Sequence, residues 1–159
     1  MKGLIPAAAS FEKTDQPVTI DLGKGRIGET DIYKAVNDKG VCVGFSFLAE
    51  GSGFADKIVL VLATDKAVKK IAGFDVLSSN ETPGFGDQIK FDYYRDQFES
   101  APAAKLDLVK TGDPAKKDNQ IVAITGATVS SEAVVAIVNN TLEQIKTQLK
   151  EKGLIDDGN

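Results

Sequence analysis

Hydrophobic positions fall in short runs through the first half of the chain and take on helical spacing only near its end. Val18-Thr19-Ile20-Asp21-Leu22 alternates apolar and polar residues, which predicts an edge strand, and Gly23-Lys24-Gly25 breaks it. The runs Asp31 to Val36 and Val41 to Phe47 flank the turn signal Asn37-Asp38-Lys39-Gly40, so the pair reads as a β-hairpin. Gly51-Ser52-Gly53 makes another loop. Ile58-Val59-Leu60-Val61-Leu62-Ala63 is apolar throughout, the pattern of a strand covered on both faces. Lys69 to Leu77 supplies the next strand, while residues 1–17 read as a polar lead-in with a short helix around Ala7 to Lys13.

The second half changes period. Asp87 to Phe98 predicts a helix with Ile89, Tyr93 or Tyr94, Gln97 and Phe98 toward the core. Ala104 to Val109 returns as a short strand, Thr111 to Asn119 is a polar loop, and Gln120 to Ile124 is a final strand. The last helix runs from about Val129 to Lys150. Val134, Ile137, Val138, Thr141, Ile145 and Leu149 share one face of it, opposite Glu132, Asn139, Glu143 and Lys146, and Gly153 ends it. Repeated short strands with tight turns favour antiparallel pairing. The expected fold class is α+β: a mainly antiparallel sheet with packed helices and a long C-terminal helix.

Composition narrows the chemistry. The 159 residues suit one domain with a real core. A net charge of −4 and the lack of a basic stripe argue against a nucleic-acid partner. There is no histidine, which excludes a histidine general base, a Ser-His-Asp triad and histidine metal ligands. No catalytic set and no metal site emerges. The lone Cys42, in the apolar run Val41-Cys42-Val43, reads as a small buried residue and forms no intramolecular disulfide. No apolar run approaches the about 18 residues of a membrane-spanning helix.

Two segments carry candidate chemistry. Thr125-Gly126-Ala127-Thr128-Val129-Ser130-Ser131 is a hydroxyl-rich turn at the start of the longest helical pattern. A helix start offers unpaired N–H groups and the positive end of the dipole, so the turn suits a phosphate; the plainer reading is a simple N-cap. Glu81-Thr82-Pro83-Gly84-Phe85-Gly86 contains a strong turn signal in Pro83-Gly84, with Gly86 adding freedom. Such a loop brings backbone close to a flat ligand and sets the Phe85 ring beside it; the plainer reading is a surface turn.

The run T-G-A-T followed by V-S-S and an apolar helix resembles the flavinylation motif of the FMN-binding domain family, and Glu81 to Gly86 resembles that family's E-T-P-G-L-G loop. The family includes the G subunit of the Rnf electron-transport complex and the C subunit of the sodium-translocating NADH:quinone oxidoreductase. The resemblance implies a covalent FMN in phosphoester linkage to Thr128, attached by a separate magnesium-dependent flavin transferase that uses FAD. By the same resemblance Thr125, Gly126, Ala127, Val129, Ser130 and Ser131 surround the phosphate, and Glu81, Thr82, Pro83, Gly84, Phe85 and Gly86 line the ring. The sequence departs from the family in one place. The usual Asp three residues before the T-G-A-T run is Val122 here, and the nearest upstream acid is Asp118.

These likenesses imply an electron-transfer subunit of an Rnf-type complex that links ferredoxin and NAD to Na⁺ or H⁺ movement, with no independent turnover. The alternatives are the C subunit of the quinone-linked pump, a standalone flavin domain, and a non-redox module for a phosphorylated ligand. Other subunits of a membrane redox complex are the expected partners. The expected organisation is a lead-in over residues 1–27 and an FMN-binding domain over residues 28–159. Family members carry an N-terminal membrane helix that segments like Leu4-Ile5-Pro6-Ala7-Ala8 follow. The resemblance therefore places this domain on the extracytoplasmic side of the cell membrane, normally held by a helix that this chain lacks.

Overall fold

In the computed structural model, which describes residues 3–156, the chain runs β1 (Ser10–Lys13), β2 (Val18–Gly23), β3 (Arg26–Thr30), β4 (Ile32–Val36), β5 (Cys42–Ser52), β6 (Lys57–Asp65) and β7 (Ile71–Ser78). A 3₁₀ turn (Gly86–Lys90), helix α1 (Asp92–Arg95) and a second 3₁₀ turn (Asp96–Phe98) follow, then β8 (Asp107–Val109), β9 (Gln120–Val122) and helix α2 (Thr128–Glu151). Met1 and Lys2 of the expected lead-in, and Asp157 to Asn159 at the end of the expected domain, lie outside the described residues.

β1-β4-β5-β6-β7 form one antiparallel sheet in that order. The predicted hairpin is β4–β5, with Asn37 Oδ1 accepting the N–H groups of Lys39 (2.9 Å) and Val41 (3.0 Å) to shape its turn. β6 is covered on both faces as its continuous apolar run demands. Ile58, Leu60 and Leu62 face the main core with Phe45, Phe47 and Phe74, against Val134, Val138 and Ile145 of α2. Ala63 faces the other side, under Ile5 and Ala8. The helix lies close on the sheet at Gly51, where a Cβ would stand 2.6 Å from Ile137 Cγ1.

Several expectations change. Residues 10–13 are strand, not helix: β1 pairs with β4, and Ala9 N–H donates to Val36 O at 2.7 Å. A helix of two turns is marginal alone, and the open edge of β4 offers a full ladder instead. The expected boundary after residue 27 falls inside β3, and Val18 and Ile20 of the supposed lead-in belong to the main core. The Asp87–Phe98 helix is broken at Phe91, which is extended (φ −81°, ψ 146°). Ile89 and Tyr94 are both buried, with Gln97 and Phe98, while Tyr93 is exposed. Five residues on a continuous helix turn a side chain by roughly 140°, so an unbroken helix would not set Ile89 and Tyr94 on one face. β8 and β9 pair in parallel, because the loop between them carries the chain back to the start of β8. Asn139 and Lys146 are only partly exposed and turn toward the body of the domain: Asn139 bonds the N–H (2.8 Å) and C=O (2.9 Å) of Leu106, and Lys146 donates to Ala103 O at 3.0 Å. Burial there pushes the Lys146 pKa down. Cys42 is only partly buried, at the start of β5.

β2 and β3 form a separate hairpin closed by Lys24-Gly25, both at positive φ (53° and 75°), the conformation of a type I′ turn. α2 ends at Gly153 (φ 72°), where Gly153 N–H bonds Lys150 O and Leu154 N–H bonds Leu149 O, the two bonds of a Schellman cap. Among the described residues, no helix is long and apolar enough to cross a membrane.

Candidate functional site

Two tight turns and one glycine loop meet at the start of α2. β9 ends at Val122, and Ala127 N–H donates back to Ile124 O at 3.0 Å. Gly126 sits third in that turn at φ 81°, which a side chain would strain. Ala127 is the N-cap and has no oxygen to offer, so no side chain caps the helix. The first intrahelical bond is Ser131 N–H to Ala127 O, at 3.0 Å. The N–H groups of Thr128, Val129 and Ser130 therefore have no intrahelical acceptor and are free to bind an anion.

Thr82-Pro83-Gly84-Phe85 is the second turn, closed by Phe85 N–H to Thr82 O at 3.1 Å, with Gly84 at φ 78°. It aims Phe85 outward (56% exposed) and across the first turn: Phe85 Cδ1 lies 3.5 Å from where a Gly126 Cβ would stand. Together they enclose an open groove of about 500 Å³, with Phe54, Thr82, Phe85 and Gly86 on one side and residues 126–130 on the other. That volume is in the usual range for a small-molecule site.

The expected site residues divide. Gly126, Ala127, Thr128, Val129, Ser130, Thr82, Phe85 and Gly86 line the groove. Thr125, Pro83 and Gly84 are exposed outside it. Ser131 is fully buried and is not a phosphate donor: its hydroxyl donates to Ala127 O (2.9 Å) and accepts Ile124 N–H (3.0 Å), stapling the turn to the helix. Tyr94 O–H donates to Ser131 O (3.1 Å), and burial pushes this phenol's pKa up. Glu81 is 4% exposed and faces inward, where it accepts the Ser130 hydroxyl at 2.8 Å. None of these bonds uses the Thr128 hydroxyl. Asp118 does not line the groove; Gln120 N–H and its partner Lys116 hold its carboxyl below the usual range.

Phe54 is the groove residue that the sequence pattern did not single out. It is 66% exposed, in the loop after β5. Its signal was an aromatic beside Gly51-Ser52-Gly53 with no apolar partner in sequence.

A small α+β domain with an uncapped helix start beside two exposed phenylalanines suits a flat, phosphorylated ligand. The chain belongs to the FMN-binding domain family, whose profile matches residues 53–143. It is 32% identical to the G subunit of the ion-translocating oxidoreductase complex of Methanosarcina acetivorans, over 93% of this chain and 74% of that protein. It is 34% identical to the G subunit of the proton-translocating ferredoxin:NAD(+) oxidoreductase complex of Clostridium ljungdahlii, over 76% of this chain and 62% of that protein. The crystal structure of Shewanella oneidensis NqrC shares the fold, with a TM-score of 0.67 at 20% identity over 92% of this chain and 73% of that one.

Proposed function

We propose that this chain carries one FMN as a phosphoester on Thr128 and serves as the electron-transferring G subunit of a membrane complex that couples ferredoxin and NAD chemistry to ion movement. The observation that carries the reading is the Thr128 hydroxyl at the uncapped start of α2, on a groove walled by Phe54 and Phe85. The residues fit the group on both counts. Free N–H groups of Thr128, Val129 and Ser130 suit its phosphate, and the two exposed rings suit its flat ring system. When bound, the flavin supplies the electron chemistry; the protein supplies position and electrostatics.

Thr128 anchors, the first turn of α2 neutralises phosphate charge, and Phe85 and Phe54 flank the ring. Covalent attachment lets a ring in so open a groove stay in place while a partner approaches it. A threonine hydroxyl is a weak nucleophile, so attachment falls to a separate flavin transferase. The relatives, both named as G subunits, favour this reading over the C subunit of the quinone-linked pump. With it go the other subunits of the complex as partners, and an extracytoplasmic position held by an N-terminal membrane helix.

Intact mass with and without co-expressed transferase tests the proposal. The wild-type chain should gain one FMN, and its colour should survive unfolding. Thr128→Val should gain none and keep its fold. A peptide map that puts the flavin on Thr125, Ser130 or Ser131 overturns the assignment.

A further inference from the structure

Glu81 lies beneath the groove and not along it. Its carboxylate accepts the Ser130 hydroxyl at 2.8 Å and Ala55 N–H at 3.3 Å to each oxygen. Each partner is the chain neighbour of a groove wall: Ala55 follows Phe54, Ser130 follows Val129, and Glu81 itself precedes Thr82. One buried acid thus joins three segments that are distant in sequence. Two glycines make room for it. A Cβ on Gly53 would stand 2.0 Å from Glu81 Oε1, and one on Gly86 would stand 2.5 Å from Ser130 Oγ. Neither position tolerates a side chain while these bonds exist.

We infer that Glu81 is a positioning residue of the flavin site: its carboxylate sets how far the Thr128 helix start stands from the Phe54 and Phe85 walls. The inference rests on the FMN reading above and adds to it, since it gives the acid of the loop a role through Ser130 and Ala55 in place of contact with the ring. A buried hydroxyl bonded to a carboxylate is held more firmly than one bonded to a neutral group, and small misplacements at a reacting atom are costly. Glu81→Ala leaves the Ser130 hydroxyl and Ala55 N–H without an acceptor. Glu81→Gln keeps an oxygen for Ala55 N–H and offers its NH₂ to Ser130 Oγ, which accepts after rotating.

The test uses the whole chain, purified flavin transferase, FAD and Mg²⁺, with circular dichroism deciding which variants are folded at the assay temperature. The initial rate of FMN incorporation, read by intact mass, should fall about tenfold or more in Glu81→Ala and recover to within about threefold of wild type in Glu81→Gln. The loaded Glu81→Ala protein should also show a shifted flavin fluorescence and midpoint potential, which a general loss of stability would leave in place. Ser130→Ala removes the same bond from the helix side, and should move both readouts in the same direction even if Glu81→Ala does not fold. Wild-type rates and spectra in the alanine variants that fold overturn the proposal. A wild-type chain that gains no FMN, or gains it elsewhere than Thr128, overturns the functional reading and this inference with it; the same mass spectra and peptide maps reveal that.

Discussion

Ser130 and Ser131 are identical neighbours with different work. Ser131 is spent on the turn, bonding Ile124 N–H and Ala127 O, while Ser130 faces Glu81. Their residue type marked a helix start, but direction came from the tertiary contacts, because a hydroxyl bonds whatever group comes near. The same holds for Glu81, whose inward turn no local pattern marks. Phe85 was legible as an outward ring, since Pro83-Gly84 closes a turn that leaves it no core to enter. Phe85→Ala should shift the midpoint potential or fluorescence of the loaded protein while incorporation stays nearly unchanged. Because the ring is half-exposed, stability should change by only about 0.5 kcal/mol. Redox titration beside mass spectrometry checks this, and an unchanged potential and spectrum would mean that Phe85 does not meet the flavin. Val122 is a second case. Gln97 bonds its N–H (2.8 Å) and C=O (3.1 Å), and its side chain lies toward Gly112. If an acid there presents the acceptor to the transferase, Val122→Asp should label faster per folded molecule, at a stability cost of about 1 kcal/mol. Equal labelling rates for the two chains would show that the departure is harmless.

Among elements, α2 was the most legible. Its apolar face repeats over about four turns, from Val134 to Leu149, and Thr141 as well as the aliphatic residues is buried on it. The Asp87–Phe98 segment was the least legible, because aromatic packing decided it. Phe74, Tyr94 and Phe98 meet edge to face at centroid distances of 6.4, 4.8 and 5.5 Å, which requires the break at Phe91 to aim Tyr94 inward. This cluster ties the broken helix to the site through the Tyr94 bond to Ser131 O. Tyr94→Phe should cost about 1 kcal/mol near neutral pH. Burial raises the Tyr94 pKa, so the folded state keeps a proton that the unfolded state loses above a pH of about 10. The stabilisation is therefore full below that pH and declines as pH rises beyond it. Urea unfolding of both chains at pH 8 and above 10 should show wild type losing its advantage over Tyr94→Phe at the higher pH. A gap that does not shrink would mean that the phenol is not protected in the fold.

Across the whole molecule, the β2–β3 hairpin is held by α2 in a way that no single segment reveals. Gln144 bonds both the N–H (2.7 Å) and C=O (3.0 Å) of Asp21, and Gln148 bonds those of Thr19 (3.3 and 2.6 Å). Residues four apart on a helix rise about 6 Å and residues two apart on a strand about 6.7 Å, so two glutamines one turn apart can cap a strand edge. Replacing both by Ala should lower stability by about 1–3 kcal/mol and speed amide exchange at Thr19 and Asp21, with the flavin site unchanged. Retained protection of those amides would refute this docking. Within the sequence, hydrophobic period, turn residues and the T-G-A-T and E-T-P-G runs were enough for the α+β class, the β4–β5 hairpin, the long helix and the two turns that frame the groove. Those features depend on neighbours within one or two turns of chain. The strand character of residues 10–13, the parallel β8–β9 pair, the broken helix, Phe54 and the inward Glu81 were decided by tertiary structure. Each depends on a partner distant along the chain, and the energy that selects it exists only once the sheet, the helix and the loops have come together.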